Sequence, residues 1–312
     1  MDKFQGCMPS GALSPSAEPS NSSLSSTSSS PAHPTVRFLL APGVTLIDSS
    51  WNKRKHSNIK MEKQLYETFS GDLATDAMLS EAAKLFSENY GTWGEHSQNP
   101  GKPVKLGARR LREQYLPDPT AESSYIRVTV DGNLAGNAFC RRWKYNGQSV
   151  CWVTQLVVDR NYRGRGLASG LLRALRSEAD DIYGIMSSHP LACLAAASSF
   201  GTGIERVPLD FARKNAEAIM KASPIPYIRE ARQCGTLFKT KDLTGLVCGV
   251  DTGFFVDHEE PLEALEIVRQ TWEWPLGDLL DGHEYLLILP GKRHRSRSRS
   301  SVKAESDAVS GR

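Results

Sequence analysis

The segment CWVTQLVVDRNYRGRGLASGLL, residues 151–172, holds three pieces whose order decides the reading of the chain. Trp152 to Val158 is a short apolar run rich in β-branched residues, the pattern of a buried strand. Asp159 to Tyr162 is a polar turn. Arg163-Gly164-Arg165-Gly166-Leu167-Ala168 then opens a stretch with apolar residues at Leu167, Leu171, Leu172 and Leu175. That spacing predicts a helix. A strand, a glycine-bearing loop and a helix in this order gather free backbone N–H groups around one point. The positive end of the helix dipole reinforces them, making a socket for phosphate.

Several kinds of socket share this outline. A dinucleotide fingerprint would need a third glycine where the chain has Ser169, and an acidic residue about 20 positions on. Glu178, Asp180 and Asp181 fall too early for that role. A Walker loop would need Gly-Lys-Ser/Thr, which is absent. Arg-x-x-Gly-x-Ala at Arg163, Gly166 and Ala168, directly after a strand ending Leu156-Val157-Val158, resembles motif A of the GNAT acetyltransferase superfamily. The spacing from Val158 to Arg163 and the tyrosine at 162 are similar to that family too. The resemblance implies an α+β fold. Its sheet would be mixed and mostly antiparallel, with a central parallel strand pair and flanking helices. It also implies acetyl-CoA as co-substrate, its pyrophosphate held by Val157, Val158 and the run Arg163, Gly164, Arg165, Gly166, Leu167, Ala168 and Ser169, without a metal.

Around this segment the chain divides by composition. Residues 1–56 form a Ser/Pro-rich leader and arm, seven of the ten residues from Asn21 to Ser30 being serine. Such a segment cannot bury enough apolar surface to offset its ordering entropy, so disorder is expected. Residues 57–290 are read as the acyltransferase domain. Ile59 to Leu65 reads as a first strand, Asp76 to Tyr90 and Val104 to Tyr115 as helices. Tyr125 to Val130 and Leu134 to Trp143 read as strands, turning at Asp131-Gly132 and again at Asn146-Gly147. After the phosphate helix, Ile182 to Met186 is expected as a strand parallel to its predecessor, because a helix crosses between them. Leu191 to Phe200 is a small-residue helix. By the resemblance it runs beside the pantetheine arm. Residues 208–242, with a helix over Leu209 to Ala222, read as an insertion. Gly245 to Val256 and His283 to Leu289 close the sheet around a helix at Pro261 to Trp272.

The formal charge of the 312-residue chain is +3. Residues 291–312 hold seven Lys or Arg against Glu305 and Asp307, leaving the remainder slightly acidic. The body is therefore not a basic nucleic-acid surface. The tail, with Lys292-Arg293-His294-Arg295-Ser296-Arg297-Ser298-Arg299, admits two readings. It is a solvated basic or nuclear-targeting segment, or it binds RNA or acidic partners through phosphorylatable Arg/Ser repeats. No apolar run has the length of a membrane span and no secretory pattern opens the chain. The six cysteines show no Cys-x-x-Cys spacing, so reduced thiols and a cytoplasmic or nuclear location are expected.

The reaction implied is acyl transfer from a thioester to an amine, on a small molecule or a protein. It needs a base for the ammonium, an acid for the leaving thiolate and a donor for the carbonyl oxygen. In a GNAT-like fold a backbone N–H of the central strand, near Val158, supplies that donor. The family's glutamate on the central strand is matched here by Gln155, and its helix tyrosine by the run Ser198-Ser199-Phe200-Gly201. His189, at the end of the neighbouring strand, is the candidate base, since imidazole titrates near neutrality. Ser187 and Tyr183 are candidate proton relays, and Cys193 a candidate nucleophile. The alternative to an N-acyltransferase is a coenzyme-binding or scaffold member of the same fold without turnover.

Overall fold

Two hairpin turns set the first half of the sheet. Asp131 and Gly132 have φ of 49° and 85°, Asn146 and Gly147 of 48° and 76°. Paired positive φ values are those of tight turns whose twist matches that of antiparallel strands. They join β2 (Ser123–Val130), β3 (Asn133–Tyr145) and β4 (Gln148–Val158) into a meander, and β1 (Gln64–Ser70) pairs with β2 outside it. The computed structural model describes residues 62–116 and 122–291. The leader, the arm and the basic tail lie outside the described residues, as do the first residues of the strand expected at Ile59 to Leu65.

Beyond β4 the chain crosses through α3 (Leu167–Leu175) to β5 (Ile182–Ser187), which runs parallel to β4. The remaining strands, β6 (Arg232–Cys234), β7 (Gly249–Asp251) and β8 (His283–Pro290), complete a sheet ordered β1-β2-β3-β4-β5-β8-β7-β6. Every neighbouring pair except β4/β5 is antiparallel. The fold is a GNAT-like α+β arrangement.

Side chains alternate between the two faces of the sheet. Ile126, Val128 and Val130 join Leu167, Leu171, Leu172 and Leu175 of α3 in one core. The same core takes in α4 (Pro190–Phe200) and α5 (Leu209–Lys221). Tyr125, Phe139 and Val157 face the other way, onto α1 (Asp76–Asn89) and α2 (Ala108–Tyr115). In α1 the Thr75 hydroxyl accepts the Met78 N–H at 3.3 Å, and Leu79, Ala82, Ala83 and Phe86 make its buried stripe.

Several elements differ from the sequence reading. Val104 and Leu106 are buried but lie outside any helix, and α2 starts only at Ala108, after Gly107. Residues 208–242 hold, besides the expected helix α5, a short α6 (Pro226–Glu230) and the three-residue edge strand β6. Gly245 to Val256 yields three strand residues, because Gly245 and Gly253 sit at φ of 82° and 62° and break the extended run. The helix before β8, α7, spans Glu259–Thr271. Among the described residues, no helix is long and apolar enough to cross a membrane.

Candidate active site

The parallel ladder between β4 and β5 stops early. Its last pair is Val153 with Ile185, although β4 continues to Val158 and β5 to Ser187. The cause lies in β4, where Val153 stands opposite Cys140 and Gln155 opposite Phe139, making Thr154 an extra residue. A bulge of this kind bends its strand and increases the local twist. The two strands splay, and a chamber of about 40 Å3 opens between them, lined by Phe86, Tyr90, Tyr115, Gln155, Met186 and Ser187 among others.

A larger cleft, about 370 Å3, lies beside the chamber, past the end of β4. Tyr90, Leu156, Ser187 and Ala192 line both spaces and make the border they share, the neck. Val157, Val158, Arg163, Gly164, Gly166, Leu167, Ala168 and Ser169 all line the cleft. Gly164 and Gly166 have φ of 75° and 77°, and a β-carbon on either would meet nothing within 4 Å. The left-handed turn, not crowding, is what asks for glycine there. The first N–H groups of α3 have no carbonyl partner within the helix and open toward this cleft.

The two arginines of the loop part company. Arg165 does not line the cleft: it pairs with Glu62 at 2.7 Å, donates to the Asn161 carbonyl at 2.9 Å and lies over the Tyr162 ring. Arg163 turns inward. Its guanidinium donates to the Val158 carbonyl at 3.3 Å and the Asn89 carbonyl at 2.8 Å, and pairs with Glu260. The Glu260 carboxyl is held down at a pKa of about 2, chiefly by the neighbouring His189 imidazole, with Arg163 and Arg160 adding to it against partial burial.

Of the candidate catalytic residues, Ser187 and His189 are brought into the cleft and Tyr183 is not. The Ser187 hydroxyl accepts the His189 backbone N–H at 3.1 Å. His189 caps α4, its Nδ1 accepting the Leu191 N–H at 3.2 Å, which leaves Nε2 to carry the ring proton 3.7 Å from Glu260. Tyr183 lies on the α3 side of the sheet, its ring stacked on Phe200 at 4.2 Å and its hydroxyl donating to the Ser177 carbonyl. Cys193 is fully buried, and burial pushes its thiol far above the ordinary range, which leaves no thiolate to act as nucleophile.

Sequence reasoning missed three contributors. Tyr90, which caps the C-terminus of α1, reads in sequence as one more apolar position, yet it stands at the neck. Burial raises its hydroxyl pKa well above 10, followed by the nearby charges of Glu284 and Tyr115, so it stays a proton donor. Tyr227, in α6, donates to the Thr154 carbonyl at the bulge, 3.4 Å away. The segment 254–261 roofs the cleft, joined to the loop after α1 by a bridge between Trp93 and Val256 and by the Asp257 N–H on the Thr92 carbonyl at 2.9 Å. Gly91 and Thr92, at the start of that loop, line the cleft as well.

Residues 84–191 match the model of the acetyltransferase (GNAT) family. No curated protein matches the chain. Among solved structures, the chain is similar to an N-acetyltransferase region of a fungal multi-domain β-N-acetylglucosaminidase, at 13% identity and a TM-score of 0.31, covering 41% of this chain and only 14% of that one. An aminoglycoside acetyltransferase from an uncultured soil metagenomic sample matches at 13% identity and a TM-score of 0.35, covering 46% and 91%. The NatC complex bound to Gag peptide and CoA matches at 16% identity and a TM-score of 0.32, covering 45% and 84%. The likeness to the acetyltransferase (GNAT) family model thus lies in residues 84–191, which hold β2 to β5, α3 and the glycine loop.

Proposed function

We propose that the protein is an acetyl-CoA-dependent N-acyltransferase that moves the acetyl group from the thioester to a primary amine by direct attack. The observation that carries this reading is the adjacency of two spaces. A cleft lined by the glycine turn shares a border with a chamber opened by strand splay. A long ligand with an anionic end and a reactive tip fits that sequence of spaces.

In this reading the amides of residues 164–169 hold the pyrophosphate. An unladdered backbone N–H of β4, between Thr154 and Val158, donates to the thioester carbonyl oxygen and stabilises the charge that develops there. The amine nitrogen attacks the carbonyl carbon, the carbon–sulfur bond breaks, and the sulfur takes a proton. Tyr90, as the protonated hydroxyl at the neck, supplies that proton and regains one from water in the cleft before the next turnover. The proton lost by the amine leaves through the Ser187 hydroxyl and water to solvent, with His189 fixing Ser187 through its backbone. The acceptor is a primary amine on a small molecule or a protein.

A second reading, coenzyme binding without turnover, draws support from the chamber's lining, which holds Gln155 and no carboxylate among the described residues. Free thiol release from acetyl-CoA, followed with a panel of amines, separates the two. Release that depends on an amine supports the enzyme; binding of acetyl-CoA without release supports the second reading; absence of binding overturns both.

A further inference from the structure

Glu260 is an anion standing inside the cleft proposed to take an anionic ligand. It lies in the first turn of α7, on the roof, whereas Arg163 belongs to the glycine loop on the opposite wall, 97 residues away in sequence. Both line the same space. The Arg163 guanidinium spends its contacts on Val158, Asn89 and Glu260, all groups of the chain, and none on the 164–169 turn beside it. Glu260 is about half exposed, so water and ligand reach it. The roof is tied elsewhere to the loop after α1, through Trp93 and Val256, through the Gly94 N–H on the Phe255 carbonyl at 2.9 Å, and through Asp257 and Thr92. Facing Glu260 are the charges of Arg163 and Arg160 on the loop and the His189 imidazole at the start of α4; Asp257 and Glu259 flank it on its own segment.

We propose that the Arg163–Glu260 pair is a strap across the coenzyme cleft, in which Glu260 holds the place of the ligand's phosphate on Arg163 and is exchanged for it on binding. The proposal rests on the coenzyme reading above. The Arg163 Nε and one terminal nitrogen are held by backbone carbonyls, so an incoming pyrophosphate competes with the Glu260 carboxylate for the remaining terminal nitrogen. Binding therefore releases Glu260, and with it the roof's link to the glycine loop. Arg163 changes partner from a side chain to the ligand. Glu260 lowers coenzyme affinity in the wild-type protein, and its neutral amide counterpart leaves Arg163 ready for phosphate.

The test is the dissociation constant of acetyl-CoA, measured by calorimetry, for the full chain and for Glu260→Gln, Glu259→Gln, Arg163→Gln and the Arg163→Gln/Glu260→Gln pair. The strap predicts binding about five- to tenfold tighter for Glu260→Gln, the scale of one charge interaction of roughly a kilocalorie at a half-exposed site. Arg163→Gln binds more weakly, and adding Glu260→Gln to it brings less than a twofold change. Glu259→Gln changes the helix charge without touching the strap and shifts binding less than twofold. Unchanged or weaker binding by Glu260→Gln overturns the strap while leaving the coenzyme reading standing. Equal tightening by Glu259→Gln also overturns it, since a general charge effect would then suffice. Binding seen only with Glu260→Gln supports both proposals, and failure of every folded variant to bind overturns both.

Discussion

Gly184 of β5 lies flat against the indole of Trp152, its partner in the parallel ladder. A β-carbon on Gly184 would fall 2.1 Å from the Trp152 ring. This pair sits one rung before the splay begins, and Trp152 is fully buried with nowhere to retreat. Overpacking of this kind costs typically 1–3 kcal/mol, occasionally more. Gly184→Ala is expected at or above the upper end, read as a loss of unfolding free energy in denaturant titration.

The glycine loop behaves differently. Gly164 and Gly166 have open space around them, so substitution costs only the left-handed backbone, about 1 kcal/mol each. Gly164→Val/Gly166→Val is expected to keep its far-ultraviolet dichroism while acetyl-CoA binding falls beyond detection. Retained binding would place the socket elsewhere.

Tyr90→Phe preserves the ring stacked on Phe86 at 4.3 Å and removes only the hydroxyl. If that hydroxyl protonates the departing sulfur, kcat falls by about 10- to 100-fold while the acetyl-CoA dissociation constant stays within twofold. An unchanged kcat would remove Tyr90 from the chemistry.

Asp180 accepts from Arg142 at 2.7 and 3.1 Å with a side chain wholly out of solvent, and also accepts the Ser177 N–H at 2.9 Å. Arg142 further donates to the Leu175 carbonyl and to Ser124. Asp180→Asn leaves a buried guanidinium without its counter-charge, which costs about 3–5 kcal/mol. A fall in melting temperature of about 6 °C or more is expected.

Glu260 gives the protein an acid limb. Its carboxyl titrates near 2 in the folded protein against an ordinary value near 4.5. A depressed folded pKa contributes stability above the unfolded pKa and loses it as pH falls from about 4.5 to 2. Because the pair is half exposed, solvent and salt screen much of this. The melting temperature of Glu260→Gln should therefore converge on wild type toward pH 2, with a gap above pH 5 that narrows in high salt.

The parts of the fold legible in sequence are those governed by local chemistry. Asp131-Gly132 and Asn146-Gly147 announce their turns, and Leu167, Leu171, Leu172 and Leu175 announce the face of α3. Strands β6 and β7, three residues each, are too short for an alternation to register. Val104 to Leu106 carries helix-like spacing but stays outside the helix, with the Leu106 N–H on the Ser87 hydroxyl. The socket was legible because its loop and helix are contiguous. Tyr90 and Glu260 were not, since what makes each one interesting is a neighbour dozens of residues away.

The strand order has a further consequence for synthesis. β8, the last described strand, sits inside the sheet, between β5 and β7. Until residue 290 leaves the ribosome, β5 is an open edge and the β6–β7 ribbon has nothing to join. The nascent chain therefore carries an unfinished, adhesive border while residues 188–290 are being made. A truncation before His283 should yield aggregates, even though every residue of the glycine loop and the splay would be present.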